Sequence, residues 1–162
     1  MGNYYFAQDG KNVFFKLTGT LKYTTSGHFD TFLDDFLNSE QEIDTVAIDL
    51  TEAEYLDSTN LGFLAKIAEY MMDRYNRKTL IYSTSADINH TLSSVGFDEV
   101  FTLIFRKSDM DDKFGILDPD KLQQKDRTDM MIDAHKCLMR INEKNAQTFK
   151  DVVELMEMSR KK

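Results

Sequence analysis

Short apolar runs alternate with amphipathic segments over residues 1–105, and this alternation limits the fold more than any other feature of the sequence. The runs read DTVAIDL (44–50), TLIYST (79–84) and VFTLIF (100–105). Each is short, mostly apolar and rich in β-branched or aromatic residues, which predicts strands inside a sheet. The segments between them are long enough for crossover helices. The pattern therefore predicts an α/β fold with a mixed sheet and helices packed on it.

The first strands are predicted on either side of a tight turn. In the stretch 3–21, Asp9-Gly10 is a strong hairpin signal, and apolar and polar residues alternate after it. The following segment, 27–38, predicts a helix with one apolar face, formed by Phe29, Phe32, Leu33, Phe36 and Leu37. The predicted element order is β-β-α-β-α-β-α-β.

A different pattern begins after the single proline, Pro119. Residues 120–159 contain neither Gly nor Pro, and apolar residues recur at steps of three and four. This predicts one long amphipathic helix, or two joined near INEKNAQ (141–147), which either folds back on the body or packs against another chain. We therefore divide the chain into an α/β domain (1–108), an acidic connector (109–118) and a helical extension (119–162).

The charge and the cysteine content indicate which classes of partner the protein can bind and in which cellular compartment it acts. The net charge is −8, and the acidic excess lies in residues 1–117, which argues against binding of nucleic acid. We expect no membrane span, because the sequence has no apolar run of about 18 residues. It also has no basic segment followed by an apolar stretch near its start, and Cys137 is the only cysteine. These features predict a cytoplasmic protein.

The most informative short stretch is YLDSTNLG (55–62), which follows the second apolar run. Asp57 or Ser58 can cap the next helix, a contribution of about 1 kcal/mol. However, Ser58 and Thr59 provide two adjacent hydroxyls, although one capping group is enough for a helix. They also follow the carboxyl end of a central strand, which is where open α/β sheets usually present their binding sites. Gly62 costs about 1 kcal/mol relative to Ala inside a helix. Close approach of another group to this turn would explain the glycine.

The segment TVAIDLTEAEYLDSTNLGFLAKIAEY (45–70) closely resembles the signature of the STAS domain, and specifically that of bacterial anti-sigma factor antagonists. In that family an apolar strand precedes a D-S-[ST]-x-[LI]-G turn that opens a helix. The resemblance covers roughly residues 4–106 and includes the predicted hairpin and element order. The family commonly has Gly where this chain has Asn60. Since Asn tolerates unusual backbone angles nearly as well, we expect the turn to keep its shape.

The resemblance implies a protein that acts as a phosphorylation switch. Unphosphorylated, such a protein binds an anti-sigma factor that is also a serine kinase. Phosphorylation of Ser58 would release it, and a PP2C-type phosphatase would remove the phosphate, with Thr59 as a minor candidate site. Asp57, Asn60 and Gly62 would shape the recognition turn together with both hydroxyls. Some relatives of about this length control motility and biofilm formation through a response-regulator kinase/phosphatase. The helical extension would either cover the body or present a surface to a second protein partner.

Two other functions compete with the switch. The first is a STAS scaffold subunit of a larger signalling or transporter-associated complex, without reversible phosphorylation. The second is a small enzyme that uses Ser58, which needs a general base close to that residue, and the neighbouring sequence offers carboxylates but no histidine. His28, His90 and His135 fall on three different predicted helices without ligand spacing, and Cys137 is interpreted as a small apolar helix residue. We expect no catalysis, no metal and no cofactor.

Overall fold

The structure, a computed structural model, describes residues 2–108, 114–119 and 126–160. Residues 109–113 of the predicted acidic connector and residues 120–125 and 161–162 of the predicted extension lie outside these ranges. The strands of the described residues are β1 (Asn3–Asp9), β2 (Asn12–Leu21), β3 (Thr45–Asp49), β4 (Ala53–Leu56), β5 (Thr79–Tyr82), β6 (Phe101–Ile104) and β7 (Gly115–Ile116). They form one mixed sheet in the order β6-β5-β3-β2-β1-β7, with β4 beside β2.

The helices confirm the predicted α/β alternation. Those in the described part of the chain are α1 (Gly27–Asn38), α2 (Ser58–Tyr75), α3 (Ala86–Ser94), α4 (Phe97–Val100), α5 (Arg127–Met139) and α6 (Glu143–Arg160). The predicted helix 27–38 is found with the same bounds. The C-terminal segment forms two helices, which was one of the two predicted arrangements.

Strand β2 organises the sheet, because both of its edges are paired along most of its length. It pairs antiparallel with β1 through the predicted turn, where Gly10 has a φ of 61°. On its other edge it pairs parallel with β3 and then, beyond an irregularity at Gly19, with β4. The carboxyl ends of β2 and β4 therefore lie side by side, and α2 begins directly after them.

The sequence prediction missed several short elements, among them β4, α4 and β7. Strand β4 has four residues, of which only Ala53 and Leu56 are buried, so its side chains carry no clear pattern. Strand β7 has two exposed residues and joins β1 through the main chain. Helix α4 is a single turn that follows Gly96, which has a φ of 76°. These elements form through main-chain pairing and, for α4, after a glycine with a left-handed backbone conformation. The pattern of apolar residues in the sequence reflects neither of these causes.

A cluster of buried aromatic rings holds the first two helices on the sheet. Phe29 of α1 stacks on Tyr4 of β1, with ring centroids 4.3 Å apart. The same ring meets Phe15 of β2 and Phe63 of α2 edge-on at 5.8 and 5.9 Å. All four residues are at most 1% exposed. Because aromatic pairs in this geometry add to the gain from burial, Phe29 is central to the packing of α1 and α2 against the sheet.

The C-terminal helices fold back on the body, the first of the two predicted possibilities. Helix α5 packs along α2, and Arg140 at its end forms an ion pair with Glu69 of α2 through Nε at 2.6 Å. The buried amide of Asn145 in α6 donates to the carbonyls of Leu138 in α5 and Val95 of the body, both at 2.9 Å. Within the described residues, no helix is long and apolar enough to cross a membrane.

Replacing Phe29 tests the aromatic cluster. Phe29→Ala should lower the free energy of unfolding by about 4 kcal/mol, because it removes a fully buried ring and leaves a cavity. Phe105→Ala is the matched control, since that ring is 63% exposed, and we expect a change within about 0.5 kcal/mol. Urea denaturation followed by circular dichroism measures both, and equal losses would contradict the central position of Phe29.

Candidate functional site

Asp57 connects the start of α2 to the end of β2. Its Oδ1 accepts hydrogen bonds from the Asn60 main-chain nitrogen at 2.9 Å and from the Asn60 side-chain amide at 2.8 Å. Its Oδ2 accepts from the main-chain nitrogen of Tyr23 at 2.6 Å. Asp57 is therefore the helix cap, one of the two alternatives that the sequence left open, and it also fixes the loop after β2.

Asn60 has a role that the sequence did not predict. It is fully buried, and Asn76 is the only non-glycine residue with a positive φ among the described residues, so Asn60 needs no unusual backbone angle. Its amide donates to Ser26 Oγ at 3.0 Å, and its Oδ1 accepts from the Tyr4 hydroxyl. The tolerance of asparagine for unusual backbone angles, on which the expectation of an intact turn was based, is therefore not used at this position. The residue is there for its side-chain hydrogen bonds.

Tyr4 completes this buried network from the sheet. Its hydroxyl lies 2.7 Å from Ser26 Oγ, and Ser26 Oγ donates to the carbonyl of Lys22 at 2.5 Å. Burial raises the pKa of Tyr4 well above its ordinary value, so the hydroxyl keeps its proton and can donate. Because every member has a partner, the network holds β1, the loop before α1 and the first turn of α2 in a single arrangement.

Ser58, the first residue of α2, has a hydrogen-bond partner from the C-terminal extension. Its Oγ lies 2.8 Å from Nε2 of His135 in α5. The neighbouring sequence offers no histidine as a general base for Ser58, but the fold supplies one from a distant part of the chain. The two residues are 77 positions apart, and only the folding back of α5 brings them together.

The other nitrogen of His135 fixes the direction of this hydrogen bond. Nδ1 lies 2.6 Å from the carbonyl oxygen of Met131. A carbonyl can only accept, so Nδ1 carries the proton, and in the neutral ring Nε2 accepts from the Ser58 hydroxyl. The imidazole is 3% exposed and meets the ring of Phe149 in α6 at 5.4 Å. Both C-terminal helices therefore hold the ring in place.

Gly62 lies one turn further along α2, directly under α5. A Cβ at this position would overlap the backbone carbonyl and the side chain of Ala134. The prediction that close approach of another group explains this glycine is confirmed, and the group is the backbone of α5. Since any larger residue would push α5 away, Gly62 permits the helix contact that also brings His135 to Ser58.

The predicted site residues differ in exposure. Asp57 and Ser58 are partly exposed, whereas Thr59, Asn60 and Gly62 are buried. A kinase would reach the Thr59 hydroxyl only after a larger opening of the first turn. Nearby, the rings of Tyr23 and Tyr55 are 37% and 50% exposed, so they border the site with apolar surface that the sequence analysis did not single out.

The remaining candidate groups form no metal site in the part of the chain that the structure describes. There, no group of three or more His, Cys, Asp and Glu residues could hold a metal ion. His28 is buried, which lowers its pKa, and His90 is exposed on α3. Burial raises the pKa of the Cys137 thiol, so it is a poor nucleophile near neutral pH.

Comparison with known proteins places this geometry in a family. The family model described as the STAS domain matches residues 6–110. The chain belongs to the STAS domain family. No curated protein sequence matches significantly. Among solved structures, the STAS fold is similar to the crystal structure of an anti-sigma factor antagonist from Mycobacterium paratuberculosis, with a TM-score of 0.54 and 16% identity over 64% of this chain and 85% of that chain.

The family match ends at residue 110. The matched region therefore includes β1 from residue 6 onward, β2 to β6, Asp57, Ser58 and Gly62, whereas β7, α5 and α6 lie outside it. His135, which bonds Ser58, comes from the added helices. This chain thus combines a STAS turn with a partner residue that the matched region does not contain.

The Asn60 network predicts a measurable loss of stability. Asn60→Ala should lower the free energy of unfolding by about 2 kcal/mol, because it leaves the buried Tyr4 hydroxyl and Ser26 with fewer partners. A double-mutant cycle with Tyr4→Phe should give a coupling energy of about 1 kcal/mol. Asn38→Ala, at the exposed end of α1, is the control. Urea denaturation of the four proteins of the cycle measures the coupling energy. A coupling energy near zero between Tyr4 and Asn60 would contradict the network.

Proposed function

We propose that this STAS protein is an anti-sigma factor antagonist and a serine phospho-switch. It binds an anti-sigma factor with serine kinase activity while Ser58 is unmodified, and releases it when Ser58 carries a phosphate. A PP2C-type phosphatase restores the binding form. The observation that carries the proposal is the position of the Ser58 hydroxyl, at the first residue of α2 directly after the Asp57 cap. The protein is not an enzyme in this proposal, and it acts in the cytoplasm.

The start of α2 suits a residue that is reversibly phosphorylated. A phosphoserine carries about −1.5 to −2 charges at neutral pH. The positive end of the helix dipole favours an anion at this place, so the STAS fold tolerates the modification. Asp57 is engaged in three hydrogen bonds and keeps the turn in shape. The carboxylate does not stabilise the phosphate, since the two negative charges repel each other.

The effect on a partner follows from charge and size. A protein docked over Ser58, with Tyr23 and Tyr55 at its border, would meet two negative charges and a bulky group in place of a hydroxyl. A loss of about 3 kcal/mol in binding free energy corresponds to a roughly hundredfold loss of affinity. A partner with a basic face is the best match, because the net charge of the chain is −8. By analogy with relatives that carry a similar extension, we propose a role in transcription control of motility or biofilm formation.

Capture from lysate of the source cells tests the switch. Wild type and Ser58→Ala should capture a serine kinase of the anti-sigma type, and Ser58→Asp should lose it. Thr148→Asp is the matched control, because it adds the same charge on the exposed side of α6. Intact-mass measurement should find one phosphate, at residue 58, on a fraction of the wild type.

A different result would favour the other STAS function. If all four baits recover the same partner and Ser58 is never modified, the hydroxyl is a structural group. The protein is then a scaffold subunit of a larger complex without reversible phosphorylation.

The Ser58–His135 hydrogen bond favours a second candidate function, that of a serine hydrolase. Since Nδ1 of His135 faces the Met131 carbonyl, Nε2 is placed to accept from the serine hydroxyl, as in a nucleophile–base pair. Against this, His135 already lies against the Ser58 hydroxyl and the backbone of α5 lies on α2 one turn further along, at Gly62. We infer that a substrate would have to displace α5 to reach Oγ. We therefore expect that a fluorophosphonate probe does not label the protein. Labelling that disappears in Ser58→Ala would overturn this and establish a reactive serine.

A further inference from the structure

We propose that α5 is an intramolecular cover on the Ser58 surface, and that closure of this cover, binding of the partner and phosphorylation of Ser58 exclude one another. The inference deepens the proposed function and rests on it, because it takes the start of α2 to be the partner-binding surface. In the closed form α5 occupies this surface, so kinase and partner compete with the helix for it. The helices outside the STAS match thereby control the STAS switch.

The contacts between α5 and α2 occupy the site itself. His135 bonds the hydroxyl that is to be modified, at 2.8 Å. One turn further on, the backbone of Ala134 lies against Gly62, where even a methyl group would not fit. Met130, Ala134 and Leu138 of α5 are buried in the same apolar cluster as Leu61 and Phe63 of α2. A partner that docks on this part of α2 must take the place of α5.

A phosphate does not fit beneath the closed helix. Only a hydrogen bond separates Ser58 Oγ from Nε2, and the imidazole around Nε2 is 3% exposed. A phosphoryl group adds three acceptor oxygens and about two negative charges at this point. Nδ1 carries the ring proton and donates it to the Met131 carbonyl, so the lone pair of Nε2 in the neutral ring would face those oxygens. Phosphorylation therefore needs an open cover and prevents its return.

The cover is built to move as one unit. Helices α5 and α6 are joined by the Asn145–Leu138 hydrogen bond and by two ion pairs, Lys136–Glu157 and Arg160–Asp129, both at 3.0 Å. Its polar contacts to the body are the His135–Ser58 bond, the buried Asn145–Val95 bond and several contacts at the rim. At the rim Arg140 pairs with Glu69, and Arg127 donates to the Thr24 carbonyl at 3.4 Å. Exposed contacts contribute little to stability, so the two inner hydrogen bonds and burial of the apolar side of α5 hold the cover closed, and a partner can supply equivalent burial.

Hydrogen–deuterium exchange on the full chain tests the exclusion between phosphate and cover. Phosphoserine is installed in place of Ser58 by genetic code expansion, with phosphoserine in place of the exposed Thr148 as the control. We expect amide exchange in α5 and α6 to rise at least tenfold for the first protein only, while exchange in β2, β3 and β5 stays unchanged. If amide exchange in α5 is unchanged by phosphoserine at position 58, a phosphate fits under the helix and the proposal is wrong.

The substitution Gly62→Ala is expected to displace α5 while Ser58 remains unchanged. The added methyl group meets only α5 among the close contacts, and alanine favours the helical state of α2 itself. We expect faster exchange in α5 and α6, at least tenfold, with the sheet protected as before. A parallel loss of protection in the sheet would overturn the proposal, because α5 would then belong to one cooperative unit with the body.

These experiments need neither a kinase nor a partner, so their failure is distinct from failure of the proposed function. If phosphoserine at position 58 releases α5 but Ser58 is never phosphorylated in cells, the proposed cover stands and the proposed phospho-switch fails. If Ser58 is phosphorylated in cells but phosphoserine leaves α5 protected from exchange, the phospho-switch stands and the cover fails.

Discussion

The contact between α5 and the first turns of α2 is the constraint on which the rest of the site depends. It is a backbone contact, since the carbonyl of Ala134 lies where a side chain at Gly62 would stand. This close approach carries the next residue of α5, His135, to the Ser58 hydroxyl. The same contact buries the apolar side of α5, which could not remain exposed in water. One glycine therefore decides where the C-terminal helices lie and what Ser58 meets.

Neighbouring residues of the STAS turn have different roles. Asp57 and Asn60 are engaged with the loop after β2 and with the sheet through Tyr23, Tyr4 and Ser26, so they give the turn its shape. Ser58 is left to present its hydroxyl outward, towards α5. Such a division suits a switch, because modification of Ser58 changes the surface while the buried network keeps the fold. The physical basis is that a fully paired polar network resists rearrangement.

Much of this arrangement could be predicted from the sequence, and the failures have physical causes. Periodicity gave α1 and the central strands, and the capping pattern of DST gave the start of α2. The cost of glycine in a helix pointed to a close neighbour at Gly62. His135 could not be assigned to Ser58, because 77 residues separate them and helix packing alone brings them together. The hydrogen-bonding role of Asn60 was not predicted, because its partners Tyr4 and Ser26 are distant in the sequence and only the fold brings them to it.

The most direct test of the account is the state of the His135 ring in solution. A long-range proton–nitrogen spectrum of the labelled protein at pH 8 resolves the tautomers of histidine side chains, with exposed His90 as the internal reference. The account predicts that His135 is a single tautomer protonated at Nδ1, and that its Nε2 resonance shifts in Ser58→Ala. A mixture of tautomers like that of His90, unaffected by Ser58→Ala, would contradict it, because α5 would then not lie on Ser58.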